Sequence, residues 1–403
     1  MAITTSLSGN EIYLLAKKNL NPGNIVLGNS VYSLGIMRSI GSGLSAFILG
    51  GEVAEVSRLI KDGREAAFQR LVAEATSHHA AGVTGVTSEL IFHGGNIEFL
   101  SIGSSVLSQT PDAKIFTSAA DGQELFIQMD AEYKPLSFAF GNVAYAMGFN
   151  RGLLGGLKTL VRGEISEYSD MFNRTRHLAL MRIVADATKV GANAVVGIKT
   201  TILPFGDVSE MLMIGTAAYS EQVKQAFPNH IVTSDMTNIE MWNMAKLGYA
   251  PFKLLLGTSV YSLGVVGSIT SMFKSFVRGE INELTQLIYE ARENALRIIN
   301  DEAAEIGADD VVGVKTYIYQ LGGGLIEFLA IGTAVKKIPN FKTESEQLPP
   351  QAVIVDTDTF YDAQAGYAPV NMNQGKKPMN TGSVIWLVFI VIVYFFLILK
   401  GKH

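Results

Sequence analysis

The chain has 403 residues, a formal net charge of −5 and no cysteine. Its length suggests two or three domains, and a hydrophobic content of 48% is ample for their cores. The negative charge gives no support for a nucleic-acid-binding surface, which would be basic. The lack of cysteine excludes disulfides, thiolate metal sites and cysteine catalysis. The N-terminus has no basic start followed by an apolar run, so we expect no secretory signal.

A pattern of glycines recurs three times along the chain and predicts three related domains. A proline precedes a glycine by six residues at Pro22 and Gly28, Pro135 and Gly141, and Pro251 and Gly257. A Gly-Glu pair is followed thirty-four residues later by another glycine, from Gly51 to Gly85, Gly163 to Gly197 and Gly279 to Gly313. Each copy closes on Ile-Gly, at Ile102, Ile214 and Ile331. With lead-in segments at 11–20, 123–133 and 239–249, the predicted domains are 9–108, 121–220 and 237–337.

The third copy predicts the secondary structure most clearly. Residues 280–306 predict a helix, because apolar residues recur on one face at steps of three and four. These residues are Ile281, Leu284, Ile288, Ala291, Ala295 and Ile298. Gly307 is a natural end for the helix, and strands are predicted at 254–266, 311–319 and 325–335, with a hairpin turn at 322–324. The sequence therefore predicts an α+β fold of three tandem β-α-β-β domains.

The other two copies are less regular. The helix of the second copy has a weaker apolar side, formed by Ile165, Tyr168, Phe172, Ala179 and Ile183. The helix of the first copy contains Gly63, which costs about 1 kcal/mol relative to alanine. Packing must therefore stabilise that helix.

The C-terminal part of the chain changes character after the third copy. Residues 338–382 scatter prolines among polar residues and predict a mostly extended linker, to which 351–356 could add one edge strand. The following run, VIWLVFIVIVYFFLIL, is apolar without a break from Val384 to Leu399. It predicts a single C-terminal transmembrane helix over 383–400, although sixteen helical residues span only about 24 Å of a hydrocarbon core of about 30 Å. The alternative is a buried core helix.

The glycine pattern and two short motifs resemble the YbjQ family of small bacterial and archaeal domains, which carry a heavy-metal-binding label. The resemblance is strongest at GADDVVGV, residues 307–314, and IGTAV, residues 331–335. It is good at 191–198 and 214–217, weaker in the first copy, and extends over nearly all of 9–337. The resemblance implies a small β-α-β-β unit that assembles as a pentameric ring, and it implies no established enzyme activity.

Candidate metal ligands are confined to the first copy. They are His78, His79, His93 and Glu89, and the other copies have no histidine at the aligned positions. Adjacent helical residues such as His78 and His79 point about 100° apart and cannot easily share one ion. A divalent site needs several convergent ligands, so we interpret these histidines as structural and predict no metal, cofactor or catalytic residue.

Two other patterns are typical of binding or catalytic sites. The glycine clusters at 41–43, at Gly152 with 155–156, and at 322–324 match no phosphate-binding motif, so turns and close backbone approach explain them better. A glutamate follows each helix-opening glycine, at Glu52, Glu164 and Glu280, where it would complement the helix dipole. Tyr32 and Tyr261 are interpreted as packing residues, because the second copy is aligned with Ala144 there.

The sequence therefore predicts a non-enzymatic structural protein, anchored in a membrane by its tail, that self-assembles into a symmetric ring, tube or cage. A closed homo-oligomer of at least five chains is expected, since one domain has too few elements to cover both faces of its sheet. Equivalent domains of neighbouring chains are expected side by side, in three layers. The other expected partner is the lipid bilayer, through Val384–Leu399, with the bulk of the chain in the cytoplasm. A membrane-tethered metal- or small-molecule-binding oligomer is the alternative.

Overall fold

The computed structural model describes residues 3–33, 51–109, 114–146, 163–205, 208–262, 282–322 and 325–351. Residues 1–353 form one compact unit. Within it, a mixed α/β arrangement is repeated three times, and the repeats are called domains 1, 2 and 3 in chain order. Their boundaries at 9–108, 121–220 and 237–337 stay a prediction.

Domain 1 begins with a short helix that the sequence did not predict. Ser8 caps this helix, because its hydroxyl accepts from the backbone N–H of Glu11 and the Glu11 carboxylate accepts from the Ser8 backbone. The long first strand then pairs antiparallel with the last strand of the domain. The elements are α1 (Gly9–Ala16), β1 (Leu20–Ser33), β2 (Gly51–Glu52), α2 (Ala54–Ser77), β3 (Gly82–Thr84), β4 (Glu89–His93) and β5 (Asn96–Ser108).

Domain 2 repeats this order after a two-residue strand that pairs parallel with β3. Asp121 caps its short helix by accepting from the backbone N–H of Glu124. The central strand of its sheet pairs antiparallel with a neighbour on each side. The elements are β6 (Phe116–Thr117), α3 (Gly122–Asp130), β7 (Lys134–Ala146), β8 (Gly163–Glu164), α4 (Ser166–Thr188), β9 (Ala194–Phe205) and β10 (Val208–Tyr219).

Domain 3 follows a short connecting helix and another two-residue parallel strand. Thr237 and Glu240 form a capping box at its lead-in helix. The elements are α5 (Glu221–Ala226), β11 (Val232–Thr233), α6 (Asn238–Lys246), β12 (Tyr249–Ser262), α7 (Asn282–Glu305), β13 (Asp310–Gly322) and β14 (Leu325–Lys337).

The order of one long strand, a long helix and two further strands is found in domains 2 and 3, whereas in domain 1 three strands, β3, β4 and β5, follow the long helix. The three lead-in segments are helices, which the sequence left unassigned. The buried stripe of α7 also differs from the prediction, since Leu287, Ala291, Ala295 and Ile299 are buried while Ile288 is only half-buried. Ile281 lies outside the described residues.

The segment after domain 3 packs against the rest of the unit as far as it is described. Phe341 is buried, with its ring centroid 6.5 Å from that of Tyr133. Ser345 donates a 2.6 Å hydrogen bond to the Asp130 carboxylate. The rest of the predicted linker and edge strand, 352–382, lies outside the described residues.

The prediction of a C-terminal transmembrane helix is wrong. No helix within the described ranges is long and apolar enough to cross a membrane. The long helices carry charged residues along one side, as Arg292, Glu293 and Arg297 do on α7. The predicted span, 383–400, lies outside the described residues. As a helix it would be shorter than the hydrocarbon core is thick. The membrane anchor, the lipid-bilayer partner and the membrane localisation are therefore not retained.

Candidate self-assembly interface

Each long helix packs on the first long strand of its own domain at a glycine. A Cβ on Gly257 would lie 2.1 Å from the carbonyl oxygen of Ala295 on α7, and one on Gly28 would lie 2.1 Å from that of Ala67 on α2. Only glycine permits this approach of helix to strand. One face of the strand is thereby covered within the domain.

The opposite face of the strand is covered by the helix of the preceding domain. On β12, Leu254, Leu256 and Val260 are fully buried and share an apolar cluster with Phe172 and Ile183 of α4. Between them in the strand, Leu255 faces the other way and joins the cluster formed with α7. The strand is therefore enclosed by two helices from two domains.

Domains 1 and 2 meet in the same way. Phe138 and Phe140 of β7 belong to one apolar cluster with Leu71 and Ala75 of α2. Ser57 of α2 also reaches the strand, where its hydroxyl accepts a 2.9 Å hydrogen bond from the backbone N–H of Ala144. Side-chain and backbone contacts thus repeat from one domain junction to the next.

A buried ion pair lies at the first junction. Arg64 of α2 donates to both carboxylate oxygens of Glu210 on β10, at 3.0 and 2.6 Å, and both side chains are fully buried. The third guanidinium nitrogen donates to the carbonyl and hydroxyl oxygens of Ser88. Such bidentate pairs fix the orientation of the two elements as well as joining them.

The second junction has the same pair at the same repeat positions. Arg176 of α4 donates to both oxygens of Glu327 on β14, at 2.7 and 2.8 Å. Burial alone would lower the pKa of Arg176, but the charge of Glu327 and the nearby Tyr145 hydroxyl raise it above its ordinary value. The guanidinium therefore stays charged in the interior.

Short strands extend these contacts along the sheet edges. β2 pairs with β7 and places Glu52 opposite Tyr145, while β8 pairs with β12 and places Glu164 opposite Tyr261. The alignment of Ala144 with Tyr32 and Tyr261 is therefore wrong, because Tyr145 holds that position. Glu52 forms a 2.7 Å ion pair with Arg182 of domain 2, so it joins two domains and is more than a charge at a helix end.

The short lead-in helices form a ladder across the domains. The carboxylate of Glu11 accepts a 2.9 Å hydrogen bond from the backbone N–H of Gly122 at the start of α3. That of Glu124 accepts a 2.7 Å hydrogen bond from the backbone N–H of Asn238 at the start of α6. Each carboxylate meets the positive N-terminal end of the next helix.

Among the described residues, the two ends of this array have no neighbouring domain of the kind that the inner positions have. On β1 the alternate residues Ile25, Leu27 and Val31 are 36%, 50% and 58% exposed. On α7, Arg292 is exposed and Tyr289 is 60% exposed.

The candidate metal ligands do not converge. His78 and His79 are exposed at the end of α2, and His93 contacts Glu98 with 2.6 Å between Nε2 and a carboxylate oxygen. In the part of the chain that the structure describes, no group of three His, Cys, Asp or Glu side chains could hold a metal ion. The glycine clusters at 41–43, 152 and 155–156 lie outside that part, as does Glu280.

A cavity of about 400 Å³ lies between domains 2 and 3. Its wall includes Lys315, which forms a 3.1 Å ion pair with Asp235. Burial raises the pKa of two further wall residues, Asp121 and Glu124. Its charged groups mostly serve the junction and the helix caps, so this cavity does not define a reaction.

The chain is a tandem-repeat protein of three similar small domains. The long helices of domains 1 and 2 each pack on the first long strand of the next domain. The chain belongs to the YbjQ_1 family, described as "Putative heavy-metal-binding", whose family model matches residues 14–107, 129–221 and 239–337. This confirms the resemblance inferred from the glycine pattern.

Related proteins fall into two groups. Over 243 residues the chain is 28% identical to an encapsulin nanocompartment protein of Mycobacterium tuberculosis, a match covering 57% of this chain and 89% of that protein. It is 45% identical over 78 residues to a UPF0145 protein of Vibrio campbellii, covering 19% of this chain and 75% of that protein. A UPF0145 protein of Archaeoglobus fulgidus is 41% identical over 83 residues, covering 20% and 77%. The second group therefore matches about one domain of this chain.

Proposed function

We propose that this protein is a non-enzymatic structural protein that self-assembles through its three YbjQ-like domains into a symmetric ring, tube or cage. The proposal includes the minimum of five chains expected from the sequence. It does not include a membrane anchor.

The observation that carries the proposal is the buried ion pair that recurs between successive domains. Arg64 with Glu210, and Arg176 with Glu327, place the same charge pair at the same positions of two different junctions. A domain whose helix side and strand side fit each other can bind copies of itself repeatedly. Removing one partner of such a pair would leave a buried charge, which makes the fit selective.

The relatives support a structural role over a catalytic one. The Mycobacterium tuberculosis relative is named as an encapsulin nanocompartment protein, and a nanocompartment requires a self-assembling shell. We infer a similar assembling role for this chain. The alternative is a metal-binding oligomer, which rests on the family description.

Native mass measurement and negative-stain electron microscopy of the full chain test the proposal. We expect closed particles of at least five chains at micromolar concentration. Particles of two to four chains would contradict the minimum number, and a monomer would contradict self-assembly itself.

Elemental analysis of the same particles, before and after treatment with a chelator, tests the alternative. We expect no stoichiometric metal and no change in particle mass after chelation. One metal ion per chain, with particles that dissociate on chelation, would favour the metal-binding role.

A further inference from the structure

Each junction between domains joins a strand face of one domain to the long helix of the domain before it. The strand face is exposed at the domain 1 end of the array, and the helix is exposed at the domain 3 end. Within the described ranges, no helix covers the outer face of β1 in domain 1, and the helix α7 of domain 3 covers no strand of a following domain. The inner junctions show how these two surfaces fit, since β12 lies against α4 with its outer face fully buried. A second copy of the chain carries the missing surface for each end.

We propose that domain 3 of one copy docks on domain 1 of a second copy by this same contact, with Arg292 pairing with Glu98 of the second copy. This inference rests on the proposed self-assembly and specifies its surface. The occupant is a second copy of the chain because charge, apolar surface and backbone positions all continue the pattern of the two inner junctions.

The charged residues occupy matching repeat positions. Arg64, Arg176 and Arg292 each lie thirteen residues after Gly51, Gly163 and Gly279. Glu98, Glu210 and Glu327 each lie four residues before Ile102, Ile214 and Ile331. The inner members of the two sets are paired, which leaves Arg292 and Glu98 at opposite ends.

The outer members are accessible to a partner. Arg292 is exposed and forms no ion pair with another described residue. Glu98 is half-buried and accepts from Asn29 at 2.8 Å, with His93 at its other oxygen. Hydrogen bonds from Asn29 and then His93 lower the pKa of Glu98, so its carboxylate is ionised at neutral pH.

The apolar residues at the strand end also match. Ile25, Leu27 and Val31 are exposed on β1, and their counterparts Leu254, Leu256 and Val260 on β12 are fully buried against α4. Both strands are covered on one face by a helix of their own domain. They differ on the outer face, which α4 of the preceding domain covers on β12 and which no described helix covers on β1.

The helix end has a complementary surface. In α4 the side facing domain 3 carries Phe172 and Leu180 on either side of Arg176, and all three are buried. In α7 the same positions hold Ile288, Leu296 and Arg292, with the two apolar side chains half-buried and the arginine exposed. An arginine flanked by apolar residues is thus repeated on the uncovered helix.

The lead-in helices provide a second contact that could be repeated between two copies. Glu240 occupies the repeat position of Glu11 and Glu124, whose carboxylates accept from the first N–H of the next lead-in helix. At the end of the array this next helix is α1 of the second copy, which begins at Gly9. A Cβ on Gly9 would have no atom within 4 Å, whereas one on Gly122 would lie 2.8 Å from the Cβ of Glu11, so the place that Glu11 takes beside α3 is empty beside α1.

Such a contact is heterologous, since it joins different surfaces of two copies. Its repetition closes into a ring or runs on as a filament, depending on the rotation at each step. Domain 3 then lies beside domain 1 around the assembly. This order replaces the layers of equivalent domains expected from the sequence.

Charge exchange tests the contact in the full-length chain. Arg292→Glu and Glu98→Arg should each raise the concentration at which half of the chains assemble by at least about thirtyfold, because each change brings like charges together. The doubly exchanged chain should assemble again. A mixture of the two single variants should assemble into particles with an even number of chains, because the two variants must alternate for each junction to join opposite charges.

The matched control is Arg297→Glu on the same helix. Position 297 is the repeat of Met181, which is 66% exposed on α4 although α4 lies between two domains. This control should assemble like the unaltered chain. Native mass measurement of each sample reports the subunit number, and thermal unfolding checks that each variant is folded.

The outcomes separate this inference from the proposed function. If the unaltered chain is monomeric, self-assembly itself fails. If the unaltered chain assembles and the single variants assemble equally well, the head-to-tail contact is wrong while self-assembly stands. Loss of assembly in both single variants without recovery in the double exchange also overturns the contact.

Discussion

Strands β1 and β12 occupy the same place in domains 1 and 3 but lie in different surroundings. Along β1, exposed and buried residues alternate, so that Val26 is fully buried between Ile25 and Leu27, which are exposed. Along β12, residues of both faces are buried from Leu254 to Ser262. Both strands lie on a helix of their own domain. The difference comes from α4, which covers β12, whereas no described helix covers the outer face of β1.

This difference shows that burial in the array is set by neighbouring domains as much as by the domain itself. A single domain of this family has one long helix, which covers one face of its sheet. The second face is completed by the next unit along the array. Contacts between domains should therefore contribute to the stability of the chain at the inner junctions and contribute nothing at the two ends.

The largest expected effect is at a buried junction. Arg176→Ala should lower the free energy of unfolding by about 3–5 kcal/mol, because Glu327 is then buried without a partner. Urea denaturation of the folded chain measures the loss. Arg297→Ala is the control, since Arg297 and Asp301 form an exposed pair at 3.2 Å that contributes about 0.3–0.5 kcal/mol. Similar losses in the two variants would mean that the buried pair does not hold the junction.

A second comparison uses leucine at one repeat position in both environments. Leu256→Ala should cost about 2–5 kcal/mol, because the side chain is fully buried between two domains. Leu27→Ala should change stability by about 0.5 kcal/mol or less, because Leu27 is 50% exposed in a single chain. Both changes are made in the Arg292→Glu chain, which keeps the ends apart, and are measured by urea denaturation. A large loss for Leu27→Ala would show that β1 is covered within its own chain.

The smallest expected effect is a pH dependence at the second junction. The pKa of His177 is raised, first by its contact with Glu302, where Nε2 lies 3.6 Å from a carboxylate oxygen, against the opposing effect of burial. Because the folded pKa is the higher one, the stabilisation is present below the ordinary pKa of about 6.5 and is lost as the pH rises through the folded pKa. His177 is about one-third exposed, so we expect less than about 1 kcal/mol.

Urea denaturation of the unaltered chain and of His177→Gln, between about pH 5 and about pH 8, measures this term. The difference between the two should shrink as the pH rises. A difference that grows with pH would contradict a protonated His177 at the junction.

The repeated fold could be predicted from the glycine ladder and the long helices. The glycines at positions such as Gly257 have a strict steric cause, so their spacing survives in all copies. The lead-in helices were missed because they are only eight or nine residues long, too short for a convincing apolar period. Their N-cap residues, Ser8, Asp121 and Thr237, are the signal that could have located them.

The junction was harder to predict. A long helix that is buried on two sides shows one broad apolar surface, and the sequence does not separate the side toward its own strand from the side toward the next domain. This is why Ile288 was assigned to the stripe that Leu287 occupies. The arginine and the glutamate of the ion pair are not among the residues that the sequence analysis singles out. Their recurrence at matching positions of all three copies is the signal that could have located them.

The order of synthesis gives the two ends different histories. The strand side, on β1, is synthesised before the helix side, on α7, because domain 1 precedes domain 3 in the chain. A nascent chain therefore presents the outer face of β1 before its own helix α7 has been made. Under the proposed contact, two chains that both lack domain 3 cannot join, whereas a chain with domain 3 in place can dock on domain 1 of a chain that is still being made.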